Sequence, residues 1–104
     1  MKIKAIVKRP DEKYGHMTHV SNTLENLQRI VGGYIEVLPI GGDLLIICNE
    51  EGKLENLEDN MEYGDDMLVG TIIVVGENGE EFGDIPISFE EWKSLVDADG
   101  RCAV

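Results

Sequence analysis

Apolar and polar residues alternate at the start of the chain. Ile3, Ala5 and Val7 fall on one side of a two-residue period, with Lys2 and Lys4 on the other and Lys8 just past the end. That period predicts a strand over residues 1–7 with a wet, basic face. Pro10-Asp11 breaks it. Residues 13–20 hold Tyr14, Met17, Thr18 and Val20 around Gly15, and read either as a second short strand or as an ordered loop. The period then lengthens. Leu24, Leu27, Ile30 and Val31 recur at the spacing of one helix face. Asn22 is placed to accept a backbone N–H as N-cap, and Glu25 stands three residues on, as in a capping box. Arg29 suits the carbonyl end of the helix dipole. Gly32-Gly33 ends the helix, because glycine enters the left-handed conformation of a C-terminal cap without a steric penalty.

Two strands are expected next, over 34–38 and 44–48, with Pro39-Ile40-Gly41-Gly42-Asp43 as the turn between them. Leu44-Leu45-Ile46-Ile47 is apolar at consecutive positions, which predicts a strand buried on both faces. Asn49-Glu50-Glu51-Gly52 makes a further turn before Lys53-Leu54. Residues 57–66 are polar and acidic and read as an exposed loop. Thr71-Ile72-Ile73-Val74-Val75 is β-branched throughout and marks the strongest strand, over 69–75. Gly76-Glu77-Asn78-Gly79 signals a hairpin, returning briefly through 81–85 until Pro86. Ser88 with Glu91 forms a second capping box, opening a helix from Phe89 to about Asp97 that shows Phe89, Trp92, Leu95 and Val96 on one face. Residues 98–104 read as a frayed end. The pattern as a whole predicts one α+β domain over 1–104, a mostly antiparallel sheet of four to six strands with two amphipathic helices packed on it.

Composition agrees with a folded domain and adds a lopsided charge. The 104 residues are 42% hydrophobic and 29% charged, with 21 acids against 9 bases and a net charge of −12. Residues 1–30 hold six bases and three acids, whereas 31–104 hold three bases and eighteen acids. Such a field repels nucleic acid and anionic membrane and favours basic partners. No apolar run approaches the roughly 18 residues of a membrane helix, and no signal peptide is evident, so a cytoplasm, bacterial or of an infected host, is the expected compartment. Cys48 and Cys102 show no metal-ligand spacing. Cys48 ends an apolar run and is expected in the core, and Cys102 in the tail.

The candidate chemistry is thin. His16 and His19 lie three apart in a segment that reads as extended, with no third His or Cys nearby. Asp59, Glu62, Asp65 and Asp66 have the composition of a calcium loop without its spacing. No metal and no cofactor are expected. Gly32-Gly33 follows a helix, whose carbonyl end repels phosphate, so the pair is a cap and not a dinucleotide fingerprint. The serines have no nucleophile motif. No catalytic residue is expected, and the protein is read as a non-enzyme.

From Thr23 to Leu54 the chain resembles a known family. Leu24-Glu25-Asn26-Leu27-Gln28, Val31-Gly32-Gly33-Tyr34-Ile35-Glu36-Val37 and Ile47-Cys48-Asn49-Glu50-Glu51-Gly52-Lys53-Leu54 are similar to segments of small proteins of unassigned function from phages, mobile elements and Gram-positive bacteria. Val69-Gly70-Thr71-Ile72-Ile73-Val74-Val75-Gly76 and the opening Lys4-Ala5-Ile6-Val7-Lys8 fit the same pattern. That family continues after the Lys-Leu turn into a Pro-Asn-Arg-like segment. Here Leu57-Glu58-Asp59-Asn60 keeps only the asparagine. The resemblance implies a setting in which small non-enzymatic proteins act against host defences.

On these grounds the expected binding surface comprises Arg29, Gly32, Gly33, Tyr34, Asn49, Glu50, Gly52 and Lys53. In the first reading it sequesters a nucleotide-like immune signal. Tyr34 would stack on a base, Asn49 and Glu50 would read its edge, and Arg29 or Lys53 would meet phosphate. In the second, the acidic segment mimics nucleic acid and occupies a basic host protein. In the third the chain is a structural module. A homodimer is expected if an apolar sheet face is left bare.

Overall fold

The computed structural model describes residues 1–103. Its strands are β1 (Lys2–Lys8), β2 (His16–Ser21), β3 (Ile35–Gly41), β4 (Leu44–Asn49), β5 (Asp59–Tyr63), β6 (Asp66–Val69), β7 (Ile72–Asn78), β8 (Glu81–Gly83) and β9 (Arg101–Cys102). Helix α1 spans Leu24–Val31 and α2 spans Phe89–Leu95. The fold is α+β. Six strands form the main sheet in the order β2-β1-β7-β4-β3, with β8 beside the far end of β7. All its pairs are antiparallel. A second sheet has the order β6-β5-β9, in which β9 lies parallel to β5.

Both faces of the main sheet are covered. Leu27 and Val31 of α1 pack with Ile3, Ala5, Val7, Leu45, Ile47, Ile73 and Val75 on one face. On the other, Trp92 and Val96 join Met61, Leu68 and Cys102 of the second sheet over Ile6, Ile46, Ile72 and Val74. This is why β4 and β7 carry apolar residues at consecutive positions: each alternates between two cores. Trp92 is fully buried, and its indole N–H donates to the Tyr14 carbonyl at 2.8 Å, giving the polar end of a large apolar side chain a partner. No bare apolar sheet face remains among the described residues. No helix among them is long and apolar enough to cross a membrane.

Several local expectations change. Thr23, not Asn22, is the N-cap of α1. The Thr23 side chain accepts the Asn26 N–H at 3.2 Å, while Asn22 Nδ2 donates to the Phe82 carbonyl at 3.0 Å. The capping box at Ser88 and Glu91 is complete in both directions. The acidic stretch 57–66 is not a loop but supplies β5 and the start of β6, joined by Gly64-Asp65. Gly64 has φ 61°, the left-handed value that such a tight hairpin demands at its first position. Residues 98–103 are not frayed either: β9 pairs with β5, and Cys102 is buried. Residue 104 lies outside the described residues. Lys8, expected just past the end of the first strand, is the last residue of β1 and is 2% exposed. The second sheet covers it, and its ammonium meets Asn60 Oδ1 at 2.6 Å.

The two edges of the main sheet differ. Strand β3 pairs only with β4. The Glu50 N–H donates to the Tyr34 carbonyl at 2.8 Å, and in the antiparallel register that follows, residues 34, 36 and 38 bond toward β4. The backbone groups of Ile35, Val37 and Pro39 therefore point outward. Pro39 has no N–H to offer there, which is where a strand tolerates proline.

Candidate functional site

The helix end, the following turn and the 49–55 loop are built around one buried amide. Gly32 caps α1 with φ 85°, and its N–H and that of Gly33 both bond the Gln28 carbonyl, at 2.8 and 3.0 Å. Asn49 is 6% exposed. Its Nδ2 donates to the Val31 carbonyl at 3.2 Å and to Glu55 Oε1 at 3.1 Å, and its Oδ1 accepts the Glu51 N–H at 2.8 Å. One side chain thus satisfies an orphan helix carbonyl and pins the next turn. Gly33 makes room for it: a Cβ on Gly33 would stand 2.9 Å from Asn49 Nδ2. Gly52 is needed for a similar reason, since a Cβ there would stand 2.7 Å from Val69 Cγ2.

The structure brings Gly32, Gly33, Tyr34, Asn49 and Glu50 into contact or adjacency. Tyr34 is 66% exposed and Glu50 is exposed beside it. Arg29 is not part of this group. It donates to Asn26 Oδ1 and lines a separate open depression with Ser21, Thr23 and Glu25. Asn49 is committed to internal partners, so the reading of a ligand edge would fall to Glu50 alone.

Beside this cluster lies a cleft of about 130 Å³ between the β3–β4 end of the main sheet and β6. Asn49, Glu50 and Lys53 line it, while Tyr34, Gly32 and Gly33 do not. Its other walls lie outside the expected binding surface: Glu36, Glu51 and Asp66 with the apolar Leu38, Leu54, Met67 and Val69. Leu54 is 82% exposed, a large apolar side chain at the rim. The volume is well below the roughly 300 Å³ at which pockets for drug-sized ligands begin.

The cleft is acidic. Lys53 is its one cation, bonded to Asp66. That contact raises the Lys53 pKa, and together with the Met67 N–H it lowers that of Asp66. Glu36, Glu50 and Glu51 have no cation of their own in the cleft. Cys48, in the floor, is pushed up to about 11, first by burial and then by Glu36 and Asp66. It is a thiol at neutral pH and a poor nucleophile. A shallower concavity next to it shares Asp66 and Met67 and adds Glu62, Asp65 and Arg101, the last paired with Glu62 at 2.6 Å. Among the described residues no three His, Cys, Asp or Glu side chains converge as metal ligands. His16 Nδ1 instead meets Glu12 Oε2 at 3.3 Å.

The sequence missed Glu36 and Asp66 for different reasons. Glu36 is in view on β3, but the acidic pattern of 57–66 reads as a loop and hides Asp66, which lines the same cleft. Gly64-Asp65 between Tyr63 and Asp66 is a tight-hairpin signal, and it places Asp66 at the start of a strand.

No curated protein and no solved structure matches the chain. Residues 1–96 match a family described as a domain of unknown function, DUF3846. The match takes in every element from β1 to α2, the cleft and the Asn49 lock included, and the chain belongs to the DUF3846 family.

Proposed function

We propose that the protein is a non-enzymatic binding module whose acidic cleft receives a cationic group of a partner protein. The observation that carries this reading is the lining of the cleft, with Glu36, Glu50, Glu51 and Asp66 against Lys53 alone. Apolar walls from Leu38, Leu54 and Met67 suit the aliphatic stem of a lysine or arginine, whose head would then meet the carboxylates. The net charge of −12 adds attraction at long range. The resemblance to proteins of phages and mobile elements supplies a setting, in which the partner is a basic surface of a host defence protein.

The nucleotide reading is the second. Tyr34, exposed beside Gly33, favours it. The small volume of the cleft, its carboxylates and the distant placement of Arg29 weigh against it. One calorimetric experiment separates the two. Titration with oligolysine is expected to give heat that weakens steeply with added salt, and to lose it in Glu36→Lys. A panel of cyclic nucleotides is expected to give none. Heat from a cyclic nucleotide, with oligolysine silent, reverses the assignment.

A further inference from the structure

The cleft lies next to the β3 edge of the main sheet, which carries Glu36, and that edge is open. Among the described residues, β3 has no backbone partner on its outer side. The N–H and C=O groups of Ile35 and Val37 point outward there, in the alternation set by the bond from Glu50 to Tyr34. Exposed strand edges of this kind accept an extended segment as an additional strand. We propose that β3 receives a short basic strand from a partner, paired to Ile35 and Val37, with one of its lysine or arginine side chains lowered into the cleft.

Three features define the occupant. Side chains of an added strand that sit level with Glu36 and Leu38 project to the same sheet face as those residues, and that is the face on which the cleft opens. An alternation of basic and apolar residues therefore meets carboxylates on the cleft side and the half-buried Ile35 and exposed Val37 on the other. Charge sets the kind of partner. A second copy of this chain would bring its own Glu36 and a further −12 to the edge, whereas like charges across paired strands are unfavourable. Pro39 sets the length, because it offers no N–H and the register shifts between Pro39 and Gly41. Pairing is confined to the stretch from Ile35 to Val37 and the Pro39 carbonyl.

This inference rests on the cationic-partner reading, and the test separates the two. The probe is a synthetic octapeptide alternating lysine and valine, compared with the same peptide N-methylated at alternate amides, which keeps its charge but cannot pair on that side. The expected result is slowed hydrogen exchange at the Ile35 and Val37 amides on adding the first peptide, with binding about tenfold weaker for the methylated one, as loss of one or two backbone bonds implies. Val37→Pro removes one outward N–H at a position type that β3 already tolerates in Pro39. It is expected to weaken the first peptide similarly while leaving the methylated one unchanged. Equal binding of both peptides, or no protection at Ile35 and Val37, overturns strand pairing. Salt-sensitive binding that persists in that case leaves the cationic-partner reading standing, and its absence for both peptides removes that reading too. Amides of Ile35 and Val37 already protected in the protein alone, at a sedimentation mass of two chains, make a second copy the occupant and overturn the proposal.

Discussion

Two buried polar side chains, Asn49 and Lys8, hold together parts of the chain that are far apart in sequence. Asn49 is fully bonded, so its burial carries little penalty. Lys8 is different. Its ammonium is met by the Asn60 side-chain oxygen at 2.6 Å and more distantly by the Asn60 carbonyl at 3.4 Å, both neutral acceptors. Asn60 in turn donates to the Lys8 and Gly70 carbonyls, at 2.9 and 2.7 Å. Burial lowers the Lys8 pKa, and attraction to Glu12 offsets only part of that. The folded state therefore releases this proton at lower pH than the unfolded chain does. Below the folded pKa the whole cost of the buried charge is present, and stability is gained as pH rises from there toward the ordinary lysine range. Urea unfolding of the wild type and of Lys8→Met should show this as a difference: the wild type gains on the variant between neutral and alkaline pH. A constant gap across that range would mean that Lys8 does not titrate with folding.

At the scale of elements, the legible parts of the sequence were those with a single clear period. Strand β4, with every residue buried, and the β-branched run of β7 followed from composition alone. Helix α2 followed from its complete capping box. Errors arose where two neighbours could play one role. Thr23 and Asn22 are both good N-caps, and only the position of the Phe82 carbonyl, which occupies Asn22, decides between them. Thr23→Ala should cost about 1 kcal/mol and expose the Asn26 amide to exchange. Asn22→Ala should leave that amide protected, since it breaks the tie to β8 instead. The second sheet was hidden for another reason. Its strands are short, β5 and β6 are rich in Asp and Glu, and the buried apolar residues are Met61, Leu68 and Cys102, one to a strand, so no long period marks them. Within the candidate site, the glycines and Asn49 were visible as unusual residues. Their work as cap and lock was not, because it depends on which backbone groups meet across the turn.

For the whole molecule, charge divides unevenly along the chain. The basic residues of 1–30 lie on β1, α1 and the loop 9–15, whereas most of the acids lie on the second sheet, the 50–58 loop, the β7–β8 hairpin and α2. Eighteen acids against three bases over 31–104 repel one another in the folded state. Screening should relieve this. Raising salt toward 1 M, where the screening length falls to about 3 Å, should raise the melting temperature by a few degrees, as expected if about 1 kcal/mol of repulsion is removed from a chain of this size. The same salt should weaken a cationic partner, so stability and affinity should move in opposite directions along one titration. A melting temperature that falls with salt would instead point to attractive surface pairs such as Arg101–Glu62 as the larger effect.

Pro39 bears on a hazard that any open strand edge creates. An edge of long, regular, apolar strand invites copy after copy to add, and ends in a fibril. Here the window is closed at one side by a residue without an N–H and by a register shift, and at the other by the glycine bend that leaves α1. Glu36 adds a carboxylate that would repeat at every layer of a stack. An edge so limited has room for one short guest and is a poor template for propagation.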